Sequence, residues 1–438
     1  VFCFLLKAAR GWLFLALVAL PWPVAAQPLN EALKSLLNTN PDIRAREKAV
    51  ESNRQGVDQA YAGYLPRLDA FGEVGPNYID SPVTKQAGGG SWFETKEVVG
   101  GRLTQRVFDG FATPAQVRSA RLDVDVASFA LDGTRQNVLF DGIEAYTEVL
   151  RQNALVGLAR HNEETIRRQL SLEDERVRRG AGIAVDVLQA KSRLQIAKER
   201  RVTFEGGMQD ATARYIQVFG MAPDLDRMTP AEPPVGSLPA SQEQTVTIAE
   251  DENPAIDASL AAVEVASEQR RLARADFYPT IEIVGTANRE KDNDLVRGTR
   301  EDAGVVVAAT WNLFNGFATV AGVNRAAVDY GASQDNHEAI RRQVNEQARL
   351  AWNQYRTASE RTDLLQNAVV IAEEVFDARS KLREAGKETV INVLDAEREL
   401  YDARIELTRA QADRRIAAFG LLRSMGRLDP AQLGIIAD

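Results

Sequence analysis

The chain has 438 residues, with 53 Lys and Arg against 62 Asp and Glu, a net charge of −9, one cysteine and two histidines. An acidic balance of this kind argues against nucleic acid as a partner, because phosphate contact needs clustered Lys and Arg. So few cysteines and histidines leave nothing for a disulfide framework and make a thiolate or His-based metal centre a poor expectation.

Residues 1–26 carry Lys7 and Arg10, an apolar run Gly11–Leu20, and Val24-Ala25-Ala26 before Gln27. That is the layout of a secretory signal peptide cleaved after Ala26. The run is too short to span a bilayer comfortably as an anchor, and Cys3 lies before it, the wrong side for a lipid acceptor. Cleavage would remove two bases, no acid and the cysteine, leaving 51 basic and 62 acidic residues and a net charge of −11. Nothing downstream is long and apolar enough for a membrane helix.

The rest of the chain is a tandem duplication. Asn40-Pro41 corresponds to Asn253-Pro254 and Tyr64-Leu65-Pro66 to Phe277-Tyr278-Pro279. Phe108, Gly110, Phe111, Ala112 and Thr113 correspond to Phe314, Gly316, Phe317, Ala318 and Thr319, and Gly180 and Gly220 to Gly386 and Gly426. Matched blocks in unchanged order are the mark of an internal repeat, which has to be settled before any local reading. Repeat 1 spans 27–220 and repeat 2 spans 246–427. A Pro-rich linker, 221–245, joins them, and a tail, 428–438, follows.

Each repeat opens with a helix, Pro41–Tyr64 or Pro254–Phe277, with Asn as N-cap and Pro in the first turn, where its missing N–H costs nothing. A hairpin follows, at about 67–108 and 280–314. After Pro279, Ile281, Ile283, Gly285 and Ala287 share one face. A polar loop is expected next, and then Val305, Val307, Ala309, Trp311 and Leu313 alternate with Gly304, Val306, Ala308, Thr310 and Asn312. The loop of the first hairpin contains Gly88-Gly89-Gly90. Long strands with one apolar face and aromatics near their ends suit a membrane β-barrel.

Two helices of exceptional length come next, 113–179 and 319–385. Val117, Ala120, Val124, Ala127, Leu131, Thr134 and Val138 fall at 3-4 spacing, as do Val323, Ala326, Tyr330, Ser333, His337, Ile340 and Val344. This is coiled-coil spacing, and it makes His337 an interfacial residue rather than a ligand. Glycine turns at Gly180 and Gly386 reverse the chain into return helices 185–219 and 390–425. Each return helix is about half the length of its partner, so the opening and return helices should stack end to end beside the long one. Four membrane strands cannot close a barrel, and an open edge in lipid leaves backbone groups unpaired, so the chain must oligomerise.

At this point the sequence resembles the TolC family of outer-membrane efflux and secretion channels. The resemblance is carried by NPDI, YLP, VFDGFAT and RGAGIAVDVLQA in repeat 1. In repeat 2 it is carried by NPAI, FYP, NLFNGFAT, REAGKETVINVLDAERELYDARIEL and LLRSMGRL. It implies a mostly α protein with membrane β structure. Three copies would form a 12-stranded β-barrel in the Gram-negative outer membrane, continued by a 12-helix α-barrel across the periplasm. It implies no cofactor, no metal and no catalysis. The implied partners are a periplasmic adaptor (membrane fusion protein), an inner-membrane ABC or RND-type pump, and outer-membrane lipid. A type I secretion partner fits best, and a periplasmic coiled-coil adaptor is the alternative reading.

The family narrows its tip with acids at both ends of a four-residue D-V-L-D segment. Here that segment is Asn392-Val393-Leu394-Asp395, so Asn392 and Asp395 are the expected constriction. The resemblance places a gate network at Asp186, Arg383 and Glu388, with Arg383 pairing with Asp186 and Glu388 as a second acceptor. It places adaptor docking at the turns Gly180-Ala181 and Gly386-Lys387.

Overall fold

The computed structural model describes residues 29–83, 91–180, 183–431, 433 and 435. The leader, the Gly88-Gly89-Gly90 loop and Ala181 lie outside the described residues. In chain order the elements are α1 (Leu29–Thr39), α2 (Pro41–Tyr61), β1 (Arg67–Ile79), β2 (Trp92–Phe108), α3 (Ala112–Arg178) and α4 (Ala184–Phe219). The second repeat supplies α5 (Gln242–Glu252), α6 (Pro254–Ala275), β3 (Thr280–Asn293), β4 (Val296–Thr310), α7 (Ala318–Glu384) and α8 (Val390–Ser424). The duplication reaches further upstream than the matched motifs, because α1 and α5 are both 11-residue helices standing just before an Asn-Pro.

The Asn-Pro pairs act as capped starts. Asn40 Oδ1 accepts from the Asp42 and Ile43 N–H groups at 2.8 and 3.2 Å, and Asn253 Oδ1 accepts from Ala255 at 3.0 Å. Each cap satisfies backbone donors that the first turn would otherwise orphan.

One antiparallel sheet in the order β1-β2-β3-β4 joins the two repeats. Register puts Leu68, Leu103, Gly285 and Val305 in one row, and Ala70, Gly101, Ala287 and Ala303 in the next. Because successive residues alternate faces, Val74, Val99, Ile283 and Val307 fall on the same side. These apolar residues are open to solvent, Leu68 and Val74 at 76% and Val305 at 75%. The opposite face carries ion pairs: Lys96 with Glu73 at 2.9 Å, Arg106 with Glu282 at 3.4 Å and Arg300 with Glu290 at 2.9 Å.

The polar loop expected in the second hairpin is not there. β3 and β4 stay paired up to Asn293 and Val296, and the turn uses positive φ at Asp294 and Leu295. Cross-strand charges such as Arg289 with Glu301 and Glu290 with Arg300 let a polar stretch remain a ladder.

Strand hands over to helix through a pair of left-handed residues. Gly110 and Phe111 have φ of 65° and 69°, and Gly316 and Phe317 have 65° and 64°. A Cβ on Gly110 would sit 2.5 Å from the Ala275 carbonyl oxygen, so only glycine fits there. Phe111, bulky and left-handed, is held by edge-to-face contacts with Phe108 and Tyr278 at 5.5 and 6.3 Å. Trp311, just past β4, donates its Nε1–H to the Phe277 carbonyl at 3.0 Å. These rings gather where the apolar face of the sheet ends, as aromatic belts do at a membrane boundary.

The long helices α3 and α7 are 67 residues each, roughly 100 Å at 1.5 Å per residue. α2 and α4 lie along α3, α8 lies along α7 and also touches α3, and α6 bridges α3 and α7. At the seam, His337 Nδ1 and Ser259 Oγ share a hydrogen bond of 2.8 Å, and Arg270 covers the Tyr330 ring at 4.6 Å. The main core lies midway along the helices. Leu33 and Leu36 of α1, Leu139, Ile143 and Tyr146 of α3, Leu421 and Leu422 of α8, and Met425 just after it are fully buried together. Each such side chain contributes about 1.5–3 kcal/mol. Tyr146 also pins the segment between the repeats, since its hydroxyl accepts from the Thr229 N–H at 2.9 Å and donates to the Thr229 carbonyl at 3.1 Å.

Candidate functional site: the hairpin tips

Two helical hairpins, α3–α4 and α7–α8, end side by side. Gly180 and Gly386 have φ of 76° and 69°. At the second turn the Gly386 N–H reaches the Arg383 carbonyl at 3.0 Å and the Lys387 N–H reaches Leu382 at 2.9 Å, which is a Schellman closure. Basic residues occupy both last turns, Arg176 and Arg178 on α3 and Lys381 and Arg383 on α7, where they complement the helix dipoles.

Arg383 is the hub of the tip, but not with the expected partner. Its Nη2 donates to Glu173 Oε1 at 2.8 Å and its Nη1 to the Glu388 backbone carbonyl at 3.0 Å. Asp186, in the first turn of α4, makes no ion pair or hydrogen bond through its carboxylate with the described residues. The reason is burial: Glu173 is only 4% exposed, and a buried carboxylate needs a countercharge more than an accessible one does. Arg176 adds a second, at 3.2 Å.

Glu388 uses its carboxylate locally. It accepts from the Asn392 amide at 2.6 Å and the Thr389 N–H at 3.0 Å. Asn392 foremost, then Thr389 and the Arg379 charge, hold its carboxyl below the ordinary range. Thr389 caps α8 by accepting from the Asn392 N–H at 3.4 Å. Asn392 is thus turned into the turn rather than left free, and Arg379 reaches its carbonyl at 3.3 Å.

Asp395 is also engaged. Arg193 of α4 donates to it at 2.5 Å, and seven residues further along both helices Arg200 donates to Asp402 at 2.7 Å. Two ion pairs one heptad apart therefore tie the return helices together. Below them Ala190, Val390 and Leu394 pack with Leu170, and above them Leu155, Tyr401 and Ile405 pack with Phe204.

A further residue, Glu397, went unread in the sequence. It is 7% exposed, and its Oε2 has no hydrogen-bond partner among the described residues. Burial pushes its carboxyl up to about 7, against the pull of Gln169, Arg168 and Arg193. The signal was available: Val390, Leu394, Glu397 and Tyr401 fall at spacing 4-3-4, so Glu397 holds a seam position.

Long helical hairpins hung from an amphipathic sheet with two free edges define the class: a subunit of an outer-membrane channel whose barrel runs on into a helical duct. The chain belongs to the outer membrane efflux protein family, whose model matches residues 32–220 and 246–427, one block per repeat. It is 25% identical to the outer membrane efflux protein BepC of Brucella suis, over 94% of this chain and 88% of BepC. It is 26% identical to the alkaline protease secretion protein AprF of Pseudomonas aeruginosa, over 99% of this chain and 91% of AprF. The Campylobacter jejuni CmeC outer membrane channel shares its fold, with a TM-score of 0.78, 14% identity, and coverage of 91% of this chain and 85% of CmeC. The protein is an outer-membrane channel for efflux or secretion, and the periplasmic adaptor reading is set aside, since the family match and these relatives are channels.

Proposed function

We propose that three copies of this chain close into one duct that carries cargo across the periplasm and the outer membrane. Each copy brings four strands, so the free β4 edge of one protomer pairs with the β1 edge of the next in a twelve-stranded barrel. The observation that carries this reading is the sheet, with its apolar face and two unpaired edges, an arrangement lipid does not tolerate unless the edges close. Eight strands from a dimer would leave an interior that side chains fill. Native mass measurement in detergent tests the reading: a three-chain species is expected, and a monomer as the main species overturns it.

Within the trimer, Asn392 and Asp395 line the constriction. The turns Gly180-Ala181 and Gly386-Lys387 face a periplasmic adaptor, which links the duct to an inner-membrane ABC or RND-type pump. The gate network centres on Arg383 and Glu388, with Glu173 in the acceptor role first assigned to Asp186. The chain conducts and does not catalyse in this reading; at the tip Glu173 and Asp395 are tied into ion pairs between helices. The AprF match, spanning 99% of this chain, favours a protein cargo delivered by a type I pump. Deleting the gene should abolish secretion of that protein while leaving drug tolerance unchanged.

A further inference from the structure

Among the described residues Glu397 is a buried acid without a countercharge at hydrogen-bonding distance, in a seam where neighbouring oxygens are also unsatisfied. Gln169 Oε1, one helix across, and Tyr401 Oη, one turn along, are buried and lack partners, as is Glu397 Oε2 itself. An ionised carboxylate here would bear a desolvation cost that nothing in the seam fully offsets. The groups facing it are Arg168 and Gln169 from α3, Arg193 from α4 and, one turn along its own helix α8, Tyr401. Arg193 is the one already committed, since it holds Asp395 at 2.5 Å and is part of the tie between α4 and α8.

We propose that Glu397 is a proton-binding site that makes the packing of α8 at the tip depend on periplasmic pH. With the proton on, the seam is neutral, α8 lies against α3, and Arg193 stays on Asp395. With the proton off, Glu397 competes with Asp395 for Arg193, and the charge draws water into the seam. The Arg193–Asp395 tie then weakens, and α8 is freed from α4. The sign follows from linkage: a carboxyl raised in the packed state binds a proton there that the loosened state has already released. The packed state is therefore unpenalised below the ordinary carboxylate range and loses stability as pH climbs toward about 7.

The consequence for conduction rests on the tip being the gate, so the test separates the two. Hydrogen exchange of the α8 segment around Glu397 and single-channel conductance are both followed from pH 5.5 to 8.5 on the full-length trimer. Two variants are compared with it: Glu397→Gln, which mimics the protonated acid, and Glu397→Leu, which fills the seam. After division by the intrinsic, hydroxide-driven rate at each pH, wild-type exchange in that segment is expected to rise several-fold with a midpoint near neutrality, and both variants should stay flat at the low-pH level. A wild-type segment that does not respond to pH, or a response that survives in Glu397→Gln, overturns the site. A step in exchange that disappears in the variants, with conductance constant throughout, upholds the proton site and overturns the gate reading instead.

Discussion

Arg193 and Asp395 stand 202 residues apart in the chain and meet at 2.5 Å, each the answer to the other's charge. The acid expected to face the pore alone is therefore half of a neutral pair. Arg200 and Asp402 repeat the arrangement one heptad away.

Selectivity should follow from that pairing. Asp395→Asn removes the acid and leaves Arg193 uncompensated, so the preference of the channel should move toward anions. Arg193→Ala should do the reverse and raise cation preference, since charged rings at a constriction set ion selectivity. Reversal potentials in planar bilayers under a salt gradient measure both. Equal selectivity in the two variants would mean that the constriction lies elsewhere.

The Arg383–Glu173 pair should be the stronger of the tip contacts. Arg383→Ala leaves a buried carboxylate with Arg176 alone, a loss on the order of 1–3 kcal/mol. That is below the roughly 3–5 kcal/mol of a fully buried pair because Arg383 keeps contact with water. Raised conductance is expected, and Glu173→Gln should raise it similarly. Asp186→Ala should change little, the opposite of what the family resemblance implies.

Gly386 tests the docking turn. Its φ of 69° makes Gly386→Val strained by about 1 kcal/mol or more. Trimers should still assemble in the outer membrane while export falls. Normal export by that variant would remove the turn from the docking surface.

Acid should loosen the same turn by another route. Glu388 is held ionised below the ordinary carboxylate range, chiefly by the Asn392 amide. Its contribution is complete above about pH 4.3 and is lost as pH falls through the lowered value. Protection of the Thr389 amide, taken relative to its intrinsic exchange rate at each pH, should fall in that acid window, and Glu388→Gln should flatten the response. This window ends where the one assigned to Glu397 begins, and the two responses run in opposite directions with pH, so the groups can be told apart by pH alone.

The duplication, the hairpins and the two long helices were legible because backbone chemistry and apolar period decide them locally. Asn-Pro caps, Gly turns and a 3-4 seam each have one structural outcome. Partner choice among charges was not legible. Whether Arg383 takes Asp186 or Glu173 depends on the rotation of α7 against α3, to which a motif is blind. α1 and α5 were missed because each is short, one beside an apolar leader and the other beside a Pro-rich stretch. Leu29, Leu33 and Leu36, at i, i+4 and i+7, were a signal for the first. Phe111 and Phe317 in left-handed conformation ran against propensity, and only the surrounding rings make that conformation affordable.

The two strand-to-helix joints are mechanically unlike. At Gly110 the Ala275 backbone and Tyr278 leave no space even for a methyl group, whereas a Cβ added at Gly316 would meet none of the described residues within 4 Å beyond its two chain neighbours. A helix of roughly 100 Å is a lever arm, and one degree of tilt at its root sweeps the far end by about 1.7 Å. A side chain at Gly110 would therefore have to force its joint apart and pass that tilt to the far end of α3, while one at Gly316 would meet only the strain of its own left-handed backbone.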